Sequence, residues 1–194
     1  VKSNTLSKLT KDKFSNELFE IIFPQIKNIK FFNNPNTFVK TILNKKDFIL
    51  LLSILIIDGS DNADYFIYKF NLSKKDQKRI KTINNFYNKK ITASSFSEKN
   101  LNKFFYFNGK EAVIDILSYR LFFLRKVDKN LLNSMSLFKS KILPVLPIGA
   151  KILMEKYKIP EGITLGTTLK KIEEEWVNSN FQLTEKQINK IINR

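Results

Sequence analysis

Residues 162–181 read GITLGTTLKKIEEEWVNSNF. Two glycines, Gly162 and Gly166, open the stretch, and Leu165, Leu169, Ile172 and Trp176 then recur at i, i+4, i+7 and i+11. That period places them on one stripe of an α-helix. Lys170, Lys171, Glu173 and Glu174 fall off the stripe and face water. Trp176 is the single tryptophan of the chain. On an apolar stripe it is either a packing anchor or a platform for a stacked base.

The same periodicity runs outward in both directions. On the N-terminal side it predicts helices over 6–22, 36–43, 47–57, 63–70, 74–87, 97–107, 111–126, 130–142 and 151–156. On the C-terminal side a last helix starts at Thr184, with Gln187 placed to complete a capping box. Ser7 or Thr10 would cap the first helix, and Ser73 the fifth. The segment Phe48–Ile57, FILLLSILII, is apolar on nearly every side, so its helix belongs in the middle of a core. Ten residues are too few to cross a bilayer, which takes roughly 20. With only 5 Gly and 5 Pro among 194 residues, the turns that a sandwich or barrel needs are missing. The expected fold is all-α, with no sheet. Pro144, Pro147 and Gly149 mark the strongest interior break, which divides the chain into 1–143 and 144–194.

Lys and Arg total 34 against 18 Asp and Glu, a formal net charge of +16 with pI ≈ 9.9. Such an excess favours a polyanionic partner. The scarcity of Arg relative to Lys fits an AT-rich coding bias, but that bias does not account for the scarcity of acids. Cys and His are both absent. Disulfides, thiolate nucleophiles, Cys/His zinc sites and histidine acid–base catalysis are thereby excluded. A chain without Cys suits a cytoplasmic location, and no membrane segment is expected.

Four features could carry function. Gly59-Ser60 with Asp61 and Asp64 has the residue types of a nucleotidyltransferase metal motif. The acids, however, follow without an intervening strand and stand three apart, which suits a polar interhelical turn better. Lys74, Lys78 and Lys81 recur at i, i+4 and i+7, flanked by Lys75 and Arg79, and form either a phosphate-binding face or an ordinary solvated one. The 18 Phe and 6 Tyr serve mainly core packing, with exposed ones available to stack on unpaired bases. Arg120 lies in an apolar segment near Arg125 and Lys126, either paired with Glu111 or Asp115 or turned into a groove. No phosphate loop, activated nucleophile or metal-spaced carboxylate set is present in the sequence.

Residues 146–188 resemble the C-terminal tail of the bacterial class II CCA-adding tRNA nucleotidyltransferase and poly(A) polymerase family. The resemblance is carried by Leu146-Pro147-Ile148, Leu153-Met154, Ile159-Pro160-Glu161-Gly162, Gly166, Leu169 to Trp176, and Asn180-Phe181. Upstream, Thr10 to Leu18 is similar to the family's Ser-x-Glu-Arg-Ile-x-x-Glu-Leu helix, with Lys13 and Phe14 where Arg and Ile are usual. Phe70-Asn71-Leu72-Ser73 is similar to the segment opening a body-domain helix, and Ala150 stands where Gly is frequent.

The resemblance implies an elongated neck, body and tail array that grips the tRNA acceptor stem and elbow. It implies that the parent enzyme adds CMP and AMP from CTP and ATP to RNA 3′ ends with magnesium, and that a catalytic head absent from this chain does the chemistry. This chain alone is then expected to be inactive, to need no cofactor, and to show no DNA specificity. The expected RNA contacts are Lys170, Lys171, Lys151, Lys74, Lys78 and Arg79, with Gly162, Gly166 and Trp176 as structural residues. The alternatives are a poly(A) polymerase of the same family and a free-standing basic helical RNA-binding module. The chain begins at Val1 rather than Met, which accords with a portion of a longer protein.

Overall fold

A computed structural model describes residues 12–32, 35–45 and 47–193. In chain order the helices are α1 (Lys13–Ile22), α2 (Thr37–Lys45), α3 (Phe48–Ile56), α4 (Asn62–Lys69), α5 (Lys74–Tyr87), α6 (Glu98–Phe123), α7 (Lys129–Ser140), α8 (Ala150–Tyr157), α9 (Ile163–Asn178) and α10 (Glu185–Ile192). Short 3-10 turns occupy Ile29–Phe32 and Ala93–Phe96. No strand occurs among the described residues. The fold is all-α, as the periodicity predicts.

Local chemistry starts and stops these helices where the sequence directs. Asp47 caps α3 by accepting from the Leu50 amide at 3.1 Å. Ser73 caps α5 by accepting from the Asp76 amide at 3.2 Å. Thr184 and Gln187 form the reciprocal capping box of α10. Asp12 caps α1 through the Ser15 amide. The predicted extension of α1 back to Leu6, with Ser7 or Thr10 as cap, lies outside the described residues. Gly109, at φ 82 and ψ 177, is the one non-helical residue within α6. Only glycine reaches that region without strain.

The chain divides into two compact units. The first comprises the residues up to Thr92 together with Lys110–Ser140, and the second comprises Ala93–Gly109 together with the residues from Lys141 onward. The unit boundary therefore passes through Gly109, inside α6.

α3 is the centre of the first unit, with every residue from Leu50 to Ile57 buried. Burial of a whole helix end leaves its last carbonyls without partners, and each such group costs ~1–3 kcal/mol if unmet. Here they are met from three other segments. Asn28 donates from Nδ2 to the Ile54 and Ile57 carbonyls at 2.9 and 2.8 Å. The Lys27 amide reaches Leu55 at 2.9 Å. Asn62 Nδ2 reaches Ile56 at 2.6 Å, and the Tyr119 hydroxyl reaches Ile57 at 3.1 Å. The buried Ser53 hydroxyl returns its proton to Ile49 O at 2.8 Å. Ile80, Ile83, Val39, Phe66 and Phe122 close the core around α3. By contrast, Phe14, Leu18, Ile21 and Ile22 on the apolar face of α1 are exposed, and Phe19 is the α1 residue that packs on this core.

In the second unit, Leu153, Ile159, Leu165, Ile172 and Ile188 bring α8, α9 and α10 together. α8 ends on Lys158 at φ 56, and the Ile159 amide turns back to Leu153 O at 3.3 Å. α9 starts after Gly162, at φ 138. It ends with Asn180 and Phe181 both left-handed, and the Phe181 amide bonds Trp176 O at 2.8 Å. That turn lays Phe181 against the Trp176 ring, 5.0 Å between centroids.

Candidate nucleic-acid interface

Lys74, Lys78 and Lys81 share one exposed face of α5, as their spacing requires. Among the described residues none of the three forms an ion pair. The helix starts with the Ser73 cap and has a single acid, Asp76, in its first turn. Its ammonium groups are therefore open to an external anion.

Arg79 follows Lys78 by one residue and points the other way, into the first unit. Its Nε and Nη2 donate to Asp115 at 2.7 Å each, and its Nη1 and Nη2 donate to Asp47 at 3.0 and 2.5 Å. Sequence reasoning grouped Arg79 with the RNA-facing lysines; in the structure its guanidinium is occupied by two internal carboxylates. The cause is position: Ile80 and Ile83 turn that side of α5 toward the core, and Arg79 borders them. Asp115, buried on α6, has its carboxyl pushed up by burial, which the Arg79 hydrogen bond and charge only partly offset. Burial also acts to raise Asp47, but the Arg79 hydrogen bond, the Leu50 amide and the Arg79 charge outweigh it and hold that carboxyl below its ordinary range. Arg79 itself is pushed up, chiefly by its bond to Asp115.

This triad forms the floor of a cleft of about 680 Å³ within the first unit. Ile42, Leu50, Ile114 and Met135 supply apolar wall, and exposed Lys45, Lys75, Lys110 and Lys139 line it as well. Arg120, for which an acid partner or a groove were the alternatives, is exposed on α6. Asp115, one of its candidate partners, is held by Arg79.

A second recess, of about 700 Å³, opens where α4 meets α5. Tyr65, Tyr68, Lys69 and Lys81 line it, together with Asn71 and Gln77. The pattern of α4 explains the exposed tyrosines. Ala63, Phe66 and Ile67 take the buried stripe, so Tyr65 and Tyr68 fall outside it. Sequence reasoning assigns the aromatic residues mainly to core packing and leaves exposed ones available for stacking, without singling out Tyr65 and Tyr68.

In the second unit, Lys170 and Lys171 are exposed on α9 and Lys151 is exposed on α8. Their surroundings are less basic than those of α5. Lys151 Nζ lies 3.9 Å from Glu155, and Lys171 borders a shallow recess with Glu174, Glu175 and Asn178. Trp176 is buried, edge-on to Tyr106 at 5.5 Å and 84°. The Tyr106 hydroxyl donates to Glu173 Oε1 at 2.6 Å, and burial with that bond pushes the phenol up to about 12. Asn102 Nδ2 donates to Asn180 at 2.7 Å, fixing the turn that follows α9. Trp176 is thus a packing anchor, with no free face for a base. Gly162 has the conformation that requires glycine, whereas Gly166 is an ordinary, exposed helical residue.

The Asp58–Asn62 stretch is a polar turn. Asp58 Oδ1 accepts from the Ser60 amide and hydroxyl at 3.1 and 2.6 Å, and Asn62 is committed to the α3 carbonyl end. Among the described residues no group of three carboxylates is placed to share a metal ion. No helix among them is long and apolar enough to cross a membrane. Comparison with protein-family models, with curated proteins and with solved structures finds no match to this chain.

Proposed function

We propose that this chain is the tRNA-binding helical portion of a nucleotidyltransferase of the CCA-adding and poly(A) polymerase family, comprising the end of its neck, its body and its tail. The observation that carries the reading is the uncompensated lysine face of α5 on an all-helical frame whose net charge is +16. It is supported by the motif residues of 146–188. Leu153, Ile159 and Ile172, which belong to the stretches carrying the resemblance, are among the residues that build the core of the second unit.

In this reading the chain's own work is to hold a folded RNA by its phosphates. A rigid helix presents Lys74, Lys78 and Lys81 over about two turns, so that several contacts form without ordering a loop. Phosphate contacts of this kind recognise shape and position more than sequence. Nucleotidyl transfer and its magnesium would belong to a head domain outside these residues. Among the described residues, Asp61 and Asp64 do not form a ligand set with a third acid. Choice between CTP and ATP, and hence between CCA addition and poly(A) synthesis, would lie with that head.

The test is binding of labelled tRNA, followed by anisotropy across ~50 to 200 mM salt, against duplex DNA of equal length. Affinity for tRNA is expected to exceed that for DNA and to fall linearly in log–log form. Equal affinity for the two would overturn the reading. Incubation of tRNA with CTP and ATP is expected to give no extension by this chain, and robust extension would refute the assignment of chemistry to a separate head.

A further inference from the structure

We infer that the recess between α4 and α5 receives an unpaired RNA nucleotide, its base stacked on Tyr68 and Tyr65 and its phosphate held by Lys69 and Lys81. This rests on the RNA-binding reading and says which part of the RNA the first unit takes.

Three observations converge on the recess. First, its aromatic residues are exposed where core formation would have hidden them. Tyr68 is 85% exposed and Tyr65 53%. They stand at i and i+3 on α4, so their rings lie on one side. Second, no carboxylate lines the recess, in contrast to the cleft over Arg79, and two lysines do. Lysine is depleted at the centre of protein–protein interfaces, whereas lysine beside an aromatic face is the pairing that unpaired nucleic acid uses. Third, the corner is built to hold its shape. Asn71 bridges the helices at φ 44, a conformation asparagine tolerates better than most residues. Gln77 Nε2 bonds Leu72 O at 2.8 Å across the same turn, and Ser73 caps α5. Lys69 Nζ sits 5.5 Å from the Phe70 ring centroid, a cation–π contact that limits where its charge can swing.

A base within a duplex already has both faces stacked and cannot enter such a recess. An unpaired one can, and every base offers a π face, so the site would select single-stranded character rather than sequence. The exposed Lys81 also ends the Lys74, Lys78, Lys81 row. A strand followed along that row would deliver its next nucleotide to the tyrosines.

The experiment compares the full chain with its variants on two probes: a blunt RNA duplex, and the same duplex with a short single-stranded extension. Wild type is expected to bind the extended probe more tightly. Tyr65→Ala with Tyr68→Ala should reduce that affinity about 10- to 100-fold and leave the blunt duplex unaffected. Tyr65→Phe with Tyr68→Phe should retain it, because stacking needs the ring and not the hydroxyl. Should the double alanine variant lose helical circular dichroism, Tyr68→Ala alone carries the test. Preference for the extended probe that survives the alanine changes, or no preference in wild type, would overturn the inference and leave the RNA reading standing. Loss in the phenylalanine variant equal to that in alanine would also overturn it. Failure of wild type to bind either RNA would remove the RNA-binding reading, and this inference with it.

Discussion

Replacing Arg79 by Met removes the cation shared by Asp47 and Asp115 while keeping a side chain of similar length. The cost falls unequally on the two acids. Asp47 retains the Leu50 amide at 3.1 Å, and its side chain is 34% exposed, so water replaces much of what it loses. Asp115 is 5% exposed and loses both of its 2.7 Å bonds. Stranding a buried carboxylate in this way costs ~3–5 kcal/mol, and the partial exposure of Arg79 lowers the expectation to ~2–3 kcal/mol. In urea unfolding followed by far-ultraviolet circular dichroism, that is a fall of ~1 M in midpoint.

The deficit should depend on pH in a defined direction. Burial already raises the Asp115 carboxyl, and loss of Arg79 raises it further. Above the unfolded-state value, near ~3.9, the variant's native state holds a proton that the unfolded chain has released. Stability of the variant then falls as pH rises, at up to ~1.4 kcal/mol per pH unit, until the folded-state value is passed. Arg79→Met should therefore lie closest to wild type at pH ~4 and below, and farthest at neutral pH and above. Adding Asp115→Asn should restore most of the loss at pH ~7, because the stranded charge is gone. A midpoint shift equivalent to less than ~1 kcal/mol, or a deficit equal at both pH values, would refute the reasoning.

Gly162 and Gly166 should respond in opposite senses to alanine, although nothing lies within 4 Å of an added Cβ at either. At Gly162, φ 138 makes the change cost ~1–3 kcal/mol by thermal unfolding, whereas at Gly166 the helix should gain up to ~1 kcal/mol. Trp176→Ala should cost ~3–5 kcal/mol, since the ring is 3% exposed between Tyr106 and Phe181. The urea midpoint of the second unit would read that loss. Lys74→Gln, Lys78→Gln and Lys81→Gln together should leave the melting temperature unchanged. They should make the log–log salt slope of tRNA binding shallower by ~2–3, one contact for each lysine.

Helix positions and caps were legible in the sequence because both are local. The α9 stripe, the Asp47–Ile57 core helix, the Ser73 cap and the Thr184–Gln187 box all depend on residues within one or two turns. The Arg79 triad was not legible, because Asp47 and Asp115 stand 32 and 36 positions away, and nothing local distinguishes Arg79 from its lysine neighbours. The apolar face of α1 shows the converse. Its periodicity is clear, yet burial needs an opposing surface, and Phe14 and Ile21 remain exposed. The tyrosine recess was half legible. The buried stripe of α4 can be read from its spacing, but the neighbouring Lys81 arrives from another helix.

The break at Gly109 has a consequence for how the molecule is made. Each unit is threaded through the other's sequence, with chain crossings after Thr92, Gly109 and Ser140. A ribosome delivers Tyr106 about 70 residues before Trp176, a wait of roughly 4–14 s at ordinary elongation rates. During that interval the front half of α6 has no core of its own to join. Its rear half, α3 and α5 can already settle into the first unit. A glycine that lets the backbone turn sharply uncouples the two halves, so one can fold on schedule while the other waits. Gene truncation near Pro144 would leave Tyr106 and Asn102 without their partners Trp176 and Asn180.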